Sequence, residues 1–157
     1  MEQQFSFLSE EHKKNSNPTL KERLAVLDAM KCMLLENEDA IIQAINQDFS
    51  YRSDFETKIA EIFPLIKSIG YTKKNLGSWM SVAQHPIGFW FQPAKAKVTQ
   101  QPLGVVGIIV PWNYPIFMTL SPLIAAIAAG NRVMLKVSEF SPQYSELIVE
   151  LCRKHLP

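Results

Sequence analysis

The chain has 157 residues, carries 16 Lys and Arg against 15 Asp and Glu for a formal net charge of +1, and is 47% hydrophobic. A near-neutral chain with no basic stripe lacks the electrostatic footprint of a phosphate binder, so no nucleic-acid partner is expected. Its length is that of one domain, large enough to bury a core without disulfide staples.

The first 16 residues read as loose and polar apart from Phe5, Phe7 and Leu8. They lack the basic start and long apolar centre of a signal peptide, which predicts a cytoplasmic protein. Asn17-Pro18 supplies a helix start, with Thr19 and Glu22 as an alternative capping box. Leu20, Leu24, Leu27, Lys31 and Leu34 then recur at spacings of three and four, the period of an amphipathic helix. After the polar patch Glu36 to Asp39, Ile41, Ile42 and Ile45 predict a second helix or a bend. A further helix is expected from Ser53-Asp54, with Ile59, Ile62, Phe63, Ile66 and Ile69 on its apolar face and Pro64 as a kink or first turn.

Gly77 to Pro93 reads as an irregular connector, and Lys95 to Gln100 alternates like a half-exposed strand. From Gln101 to Leu135 the only formal charge is Arg132. Within that stretch Gly104 to Val110 is short, apolar and β-branched, as suits a strand buried on both faces. Ile116 to Gly130 is too short and too punctuated to span a bilayer, so no membrane partner is expected, and it reads as a buried helix ending at Gly130. Arg132 to Val137 is a second strand, and Ser141-Pro142 opens a last helix bearing Tyr144, Leu147, Ile148 and Leu151. The order strand, helix, strand, helix predicts a βαβα half of an open parallel α/β sheet behind N-terminal helices. The two cysteines, Cys32 and Cys152, fall in helical segments without metal-ligand spacing and read as buried thiols of a reducing compartment. No metal site is read.

Ligands of open α/β sheets sit outside the carboxyl ends of the strands. Here those ends are Val110 to Pro115 and Lys136 to Glu139. The fingerprint GxGxxG is absent, so a nucleotide at these ends must be held in some other way. In Pro111-Trp112-Asn113-Tyr114-Pro115 two prolines stiffen the backbone around an Asn amide with two donors. That amide suits a developing oxyanion, or alternatively satisfies the turn's own backbone. In Lys136-Val137-Ser138-Glu139 a carboxylate and an ammonium can meet a ribose diol, or alternatively form a solvated ion pair.

Together, PWNYP and KVSE, separated by an apolar helix containing LIAAIAAGN, resemble the aldehyde dehydrogenase superfamily. QPLGVVGIIVPWNYP, DFSYRS, AEIFPLIKSI and FWFQPAKAKV are similar to its coniferyl aldehyde dehydrogenase branch. The resemblance implies a Rossmann-like cofactor domain, cut so that 1–93 is its helical region, 94–102 a strand of the bridging or oligomerisation region, and 103–157 the first half of the NAD-binding unit. It implies Asn113 as the catalytic oxyanion-hole amide. Lys136 and Glu139 would hold the adenosine ribose, with Ser138 on the cofactor side as well. Ile109, Val110, Pro111 and Trp112 would lie along the cofactor, mainly through backbone. Tyr114 and Met118 would face the aldehyde tunnel, unless they are ordinary packing residues. NAD is the implied cofactor, with NADP as the alternative, and an aldehyde the substrate, coniferyl or another aromatic aldehyde among the candidates. A homo-oligomer is the implied assembly. Val137 stands where most of the superfamily has Pro. The nucleophilic Cys, the general-base Glu and the pyrophosphate-binding Gly-rich turn lie downstream of KVSE in that family, so the chain is similar to its N-terminal third and the isolated segment is expected to be inactive. The rival reading is a non-catalytic structural or interaction module.

Overall fold

A computed structural model describes residues 1–156. Seven α-helices and two small two-stranded sheets make it up, in the order α1 (Glu2–Lys14), α2 (Leu20–Glu36), α3 (Glu38–Asp48), α4 (Asp54–Thr57), a π-helical turn (Lys58–Ile62), α5 (Phe63–Trp79), β1 (Ala83–His85), β2 (Ala96–Val98), β3 (Val105–Ile109), α6 (Pro115–Ala128), β4 (Arg132–Lys136) and α7 (Pro142–His155). β3 and β4 are parallel with Val105 opposite Arg132 and Ile109 opposite Lys136, and α6 is their crossover. The expected βαβα order is therefore present. No described helix is long and apolar enough to cross a membrane.

The core lies between α2, α3, α5, α6 and α7, with Leu27, Met30, Ile41, Ile45, Leu65, Ile69, Ile116, Leu120, Tyr144 and Ile148 all buried. Thr19, not Asn17, caps α2 in a full capping box with Glu22. Both oxygens of Asp48 at the end of α3 accept from the first amides of α7, Gln143 and Tyr144, at 2.9 Å each. This satisfies donors that a helix start leaves orphaned. Arg23 serves the opposite end of α6, donating to the Ala128 carbonyl at 2.8 Å. Gly130 follows with φ +85°, and a Cβ there would lie 2.7 Å from the Arg23 guanidinium. The tyrosyl hydroxyl of Tyr144 donates to Thr119 Oγ1 at 2.8 Å inside the core, joining α7 to α6.

Several expectations are corrected. The N-terminal residues are not loose: they form α1, which rests on β3 and β4. Its half-buried Leu8, Glu11 and His12 recur at helical spacing although no α1 residue is fully buried. The connector from Gly77 is also more ordered, since α5 runs to Trp79 and β1 pairs antiparallel with β2. In the third helical stretch, Ile59 and Phe63 are half-exposed while Glu61 is buried. Pro64 explains the change of face. It has no N–H to donate and its ring would press on the carbonyl four residues back, so the preceding turn widens and the Phe63 amide bonds the Lys58 carbonyl. β3 is not buried on both faces: Ile108 is buried, but Ile109 is 83% exposed. α6 likewise leaves a stripe of Met118, Pro122, Ala125 and Ala129 exposed, because α2, α5 and the strands cover its other sides. Cys32 is exposed on α2, and Cys152 is only partly buried.

Candidate active and cofactor site

Parallel pairing brings the two strand ends to one edge of the sheet. The Val110 amide, just past β3, donates to the Lys136 carbonyl at 2.9 Å, so the turn Pro111–Tyr114 and the turn Val137–Phe140 leave side by side. Pro115 stands at the first turn of α6, where a missing N–H costs nothing. Thus strand end, rigid turn and helix start follow one another within six residues.

On the first turn, Trp112 is half-exposed and its ring centroid lies 6.1 Å from that of Phe49. Asn113 is exposed. Its backbone carbonyl accepts from Arg52 Nη1 at 3.0 Å, while its carboxamide forms no hydrogen bond among the described residues. The reading in which this Asn satisfies its own turn therefore has no bond to support it, and both amide donors are left for another group. Tyr114 is half-buried with its ring 4.7 Å from the Arg52 guanidinium carbon, so packing occupies one of its faces. Met118, one turn into α6, stays 36% exposed.

On the second turn, Lys136 Nζ contacts Glu139 Oε2, and both side chains are exposed. The ammonium's hydrogen bond, together with the backbone amide of Glu139, holds the Glu139 carboxyl below its usual pKa. Oε1 has no side-chain partner among the described residues. Ser138 is buried, its Oγ accepts from the Phe140 amide at 3.2 Å, and its carbonyl accepts from Ser145 Oγ at 3.0 Å. Its hydroxyl builds the turn that starts α7. Val110 is 4% exposed and offers a ligand only its backbone, whereas Ile109 and Pro111 are exposed beside it.

Beneath Asn113 lies a group that the sequence reading did not single out. Phe49, Tyr51, Arg52, Ser53 and Glu56 form, with Asn113 and Tyr114, an open recess of about 330 Å³. Arg52 is 7% exposed and Glu61 fully buried. Arg52 Nη2 lies 3.1 Å from Glu61 Oε1 and 3.3 Å from Glu56 Oε1. Glu61 Oε2 accepts from the Phe117 amide of α6 at 3.1 Å. Burial raises the Glu61 pKa, against the opposing pull of that amide and of Arg52. The available signal was Glu61 itself, a carboxylate inside an otherwise apolar helical stripe just before Pro64.

This parallel βαβα unit places a free amide at one strand end and an exposed carboxylate–ammonium pair at the next, on the side where open α/β sheets take their ligands. The chain belongs to the aldehyde dehydrogenase family, whose sequence model matches residues 8–157. It is 46% identical over 140 residues to a probable coniferyl aldehyde dehydrogenase of Pseudomonas aeruginosa, covering 89% of this chain and 29% of that protein. Against the coniferyl aldehyde dehydrogenase of another Pseudomonas it is 40% identical over 144 residues, covering 92% of this chain and 30% of that one. The fold matches a substrate-bound structure of Staphylococcus aureus AldH with TM-score 0.91 and 27% identity, over 99% of this chain and 34% of the other. The chain thus spans about three-tenths of the length of these curated relatives.

Proposed function

We propose that this chain is the N-terminal part of the cofactor half of an NAD(P)-dependent aldehyde dehydrogenase that oxidises an aldehyde, coniferyl or another aromatic aldehyde, to the acid. The observation that carries the reading is the alignment of the two strand ends: the unbonded Asn113 carboxamide and the Lys136–Glu139 pair leave the same sheet edge in register. In this reading NAD(P) supplies the hydride acceptor. Glu139 Oε1 accepts from the adenosine ribose hydroxyls and Lys136 donates to the same sugar. Ile109 and Trp112 line the cofactor's path, with the backbone of Val110 and Pro111. Ser138 contributes by shaping the turn.

Asn113 donates from its amide to the oxygen of the aldehyde as a thiolate adds to the carbonyl carbon and the negative charge moves onto that oxygen. Tyr114 and Met118 border the approach of the substrate. The attacking thiolate comes from sequence that the family carries beyond the matched segment. Burial pushes the Cys152 thiol up, away from the thiolate form, and Cys32 stands on the outer face of α2. Segment 94–102, with β2, belongs in the same reading to a bridging region through which copies of the enzyme associate. The cytoplasm is the proposed compartment.

The test is a chimera in which this chain replaces the corresponding residues of the Pseudomonas aeruginosa relative. Asn113→Ala in that chimera should slow acylation about a hundredfold or more, the usual loss for one oxyanion donor, with NAD affinity retained. An unchanged acylation rate refutes the role of Asn113.

A further inference from the structure

We propose that Arg52 and Glu61 are positioning residues for Asn113, a buried ion pair that sets the turn Pro111–Tyr114 against the start of α6; the proposal rests on reading Asn113 as the oxyanion donor. The pair grips the backbone on both sides of Pro115. Arg52 Nη1 donates to the Asn113 carbonyl at 3.0 Å, and Glu61 Oε2 accepts from the Phe117 amide at 3.1 Å. The two grips are joined by the Arg52 Nη2 to Glu61 Oε1 contact of 3.1 Å. The guanidinium also lies between two rings, 5.0 Å from the Phe49 centroid and 4.7 Å from that of Tyr114. One planar cation therefore references the turn to α3, to the π-helical turn and to α6 at once.

Stability alone is a poor reason for this arrangement. A buried ion pair carries a desolvation cost that an apolar pair of similar volume avoids. Here the hydrogen bonding is incomplete as well. Arg52 Nε and Nη2 and Glu61 Oε1 are buried without an aligned hydrogen-bond partner, and the Arg52–Glu61 contact is one of charge more than of direction. What the pair delivers is geometry at a fixed place. The Asn113 carboxamide is tied to nothing among the described residues, so the place it starts from is set by its backbone, and the backbone is what Arg52 holds. The widened turn at Lys58–Ile62 has a matching role. Glu61 within it stands four residues before Leu65, so that it continues the buried face of Leu65 and Ile69 into the core beneath α6.

A double-mutant cycle in the chimera tests the proposal. Arg52→Lys keeps the charge and loses the planar fork. It should lower the acylation rate about ten- to a hundredfold, the cost of displacing a reacting group by a fraction of its reach, while the KM for NAD stays unchanged. In the Asn113→Ala background the same change should cost about twofold at most, because the group it positions is gone. Equal losses in both backgrounds, or no loss in either, overturn the positioning role and leave the reading of Asn113 intact. A full rate in Asn113→Ala alone overturns that reading, and the proposal with it. If Arg52→Lys does not fold, Glu61→Gln, which keeps shape and an acceptor for Phe117, enters the same cycle. In the 157-residue chain itself, amide exchange at Phe117 should be faster in Glu61→Leu, which removes the acceptor, than in the parent. Unchanged protection there overturns the geometric basis.

Discussion

Replacing Arg23 by Met would show how far one buried cation holds α2 beneath the end of α6. The guanidinium donates to Asn17 Oδ1 at 2.7 Å, to the Ala128 carbonyl at 2.8 Å and to the Pro18 carbonyl at 2.9 Å, and the residue is only 6% exposed. These three bonds do not weigh equally. Asn17 is exposed and Pro18 half-buried, so water replaces most of what they lose. Ala128 is buried at the last turn of α6, where no helical amide reaches its carbonyl, and an orphaned acceptor of that kind costs about 1–3 kcal/mol. Part of this is offset, because burial already disfavours the Arg23 cation and lowers its pKa, a penalty Met does not carry. Methionine also keeps most of the stem's packing. The net expectation is a loss of about 2 kcal/mol. With a urea m-value of about 2 kcal/mol per M, the unfolding midpoint followed by circular dichroism, at a dilution where the chain is monomeric, should fall by about 1 M. A midpoint that stays put or rises at unchanged m refutes the reasoning, and means that water reaches Ala128 or that the cation was a net burden.

The parts of the molecule that were legible in the sequence are those whose signal is local. The run from Gln101 to Leu135, whose only formal charge is Arg132, read as strand, buried helix and strand, and Gly130 marked the helix end because its φ of +85° is open to few other residues. Thr19 and Glu22 announced their capping box three residues apart. What stayed hidden depends on partners distant in the chain. β1 is exposed at all three residues, so it shows no alternation, and only pairing with β2 makes it a strand. α1 buries no residue fully and reads as polar until the strands beneath it are known. Arg52 and Glu61 lie nine residues apart on the chain, yet their contacts run to Asn113 and Phe117, on the far side of the fold's sequence. Hydrophobic periodicity reports that a face is buried and is silent on which charge is buried with it. The motif that named the site, PWNYP, was visible; the ion pair holding it was not.

Three further outcomes are expected. The Glu22 carboxyl is held below its usual pKa by the Thr19 hydroxyl and then the Thr19 amide. A carboxylate lowered by folding stabilises above the ordinary range and loses that contribution as pH falls through the folded value. Amide exchange at Thr19 and Glu22, corrected for intrinsic rates, should therefore accelerate below about pH 4 in the parent and show no such step in Glu22→Gln. The 157-residue chain should self-associate, since β3 and β4 each leave one edge unpaired among the described residues and Ile109, Trp112 and the α6 stripe are exposed; a compact monomer in sedimentation at high concentration contradicts this. In the proposed reading, cofactor choice should turn on Glu139, whose carboxylate is kept ionised by Lys136 and would accept from ribose hydroxyls but repel a 2′-phosphate. Lys136 offsets part of that repulsion, so the chimera should prefer NAD over NADP without excluding the latter. Glu139→Gln removes the like charge, keeps an acceptor and frees Lys136 to meet the phosphate. The ratio of kcat/KM values for the two cofactors should then move severalfold toward NADP, mainly through the NADP KM, and more so at low salt, where an exposed charge is least screened. An unmodified chimera that already favours NADP, or a ratio that Glu139→Gln leaves unmoved, would place the ribose away from Glu139.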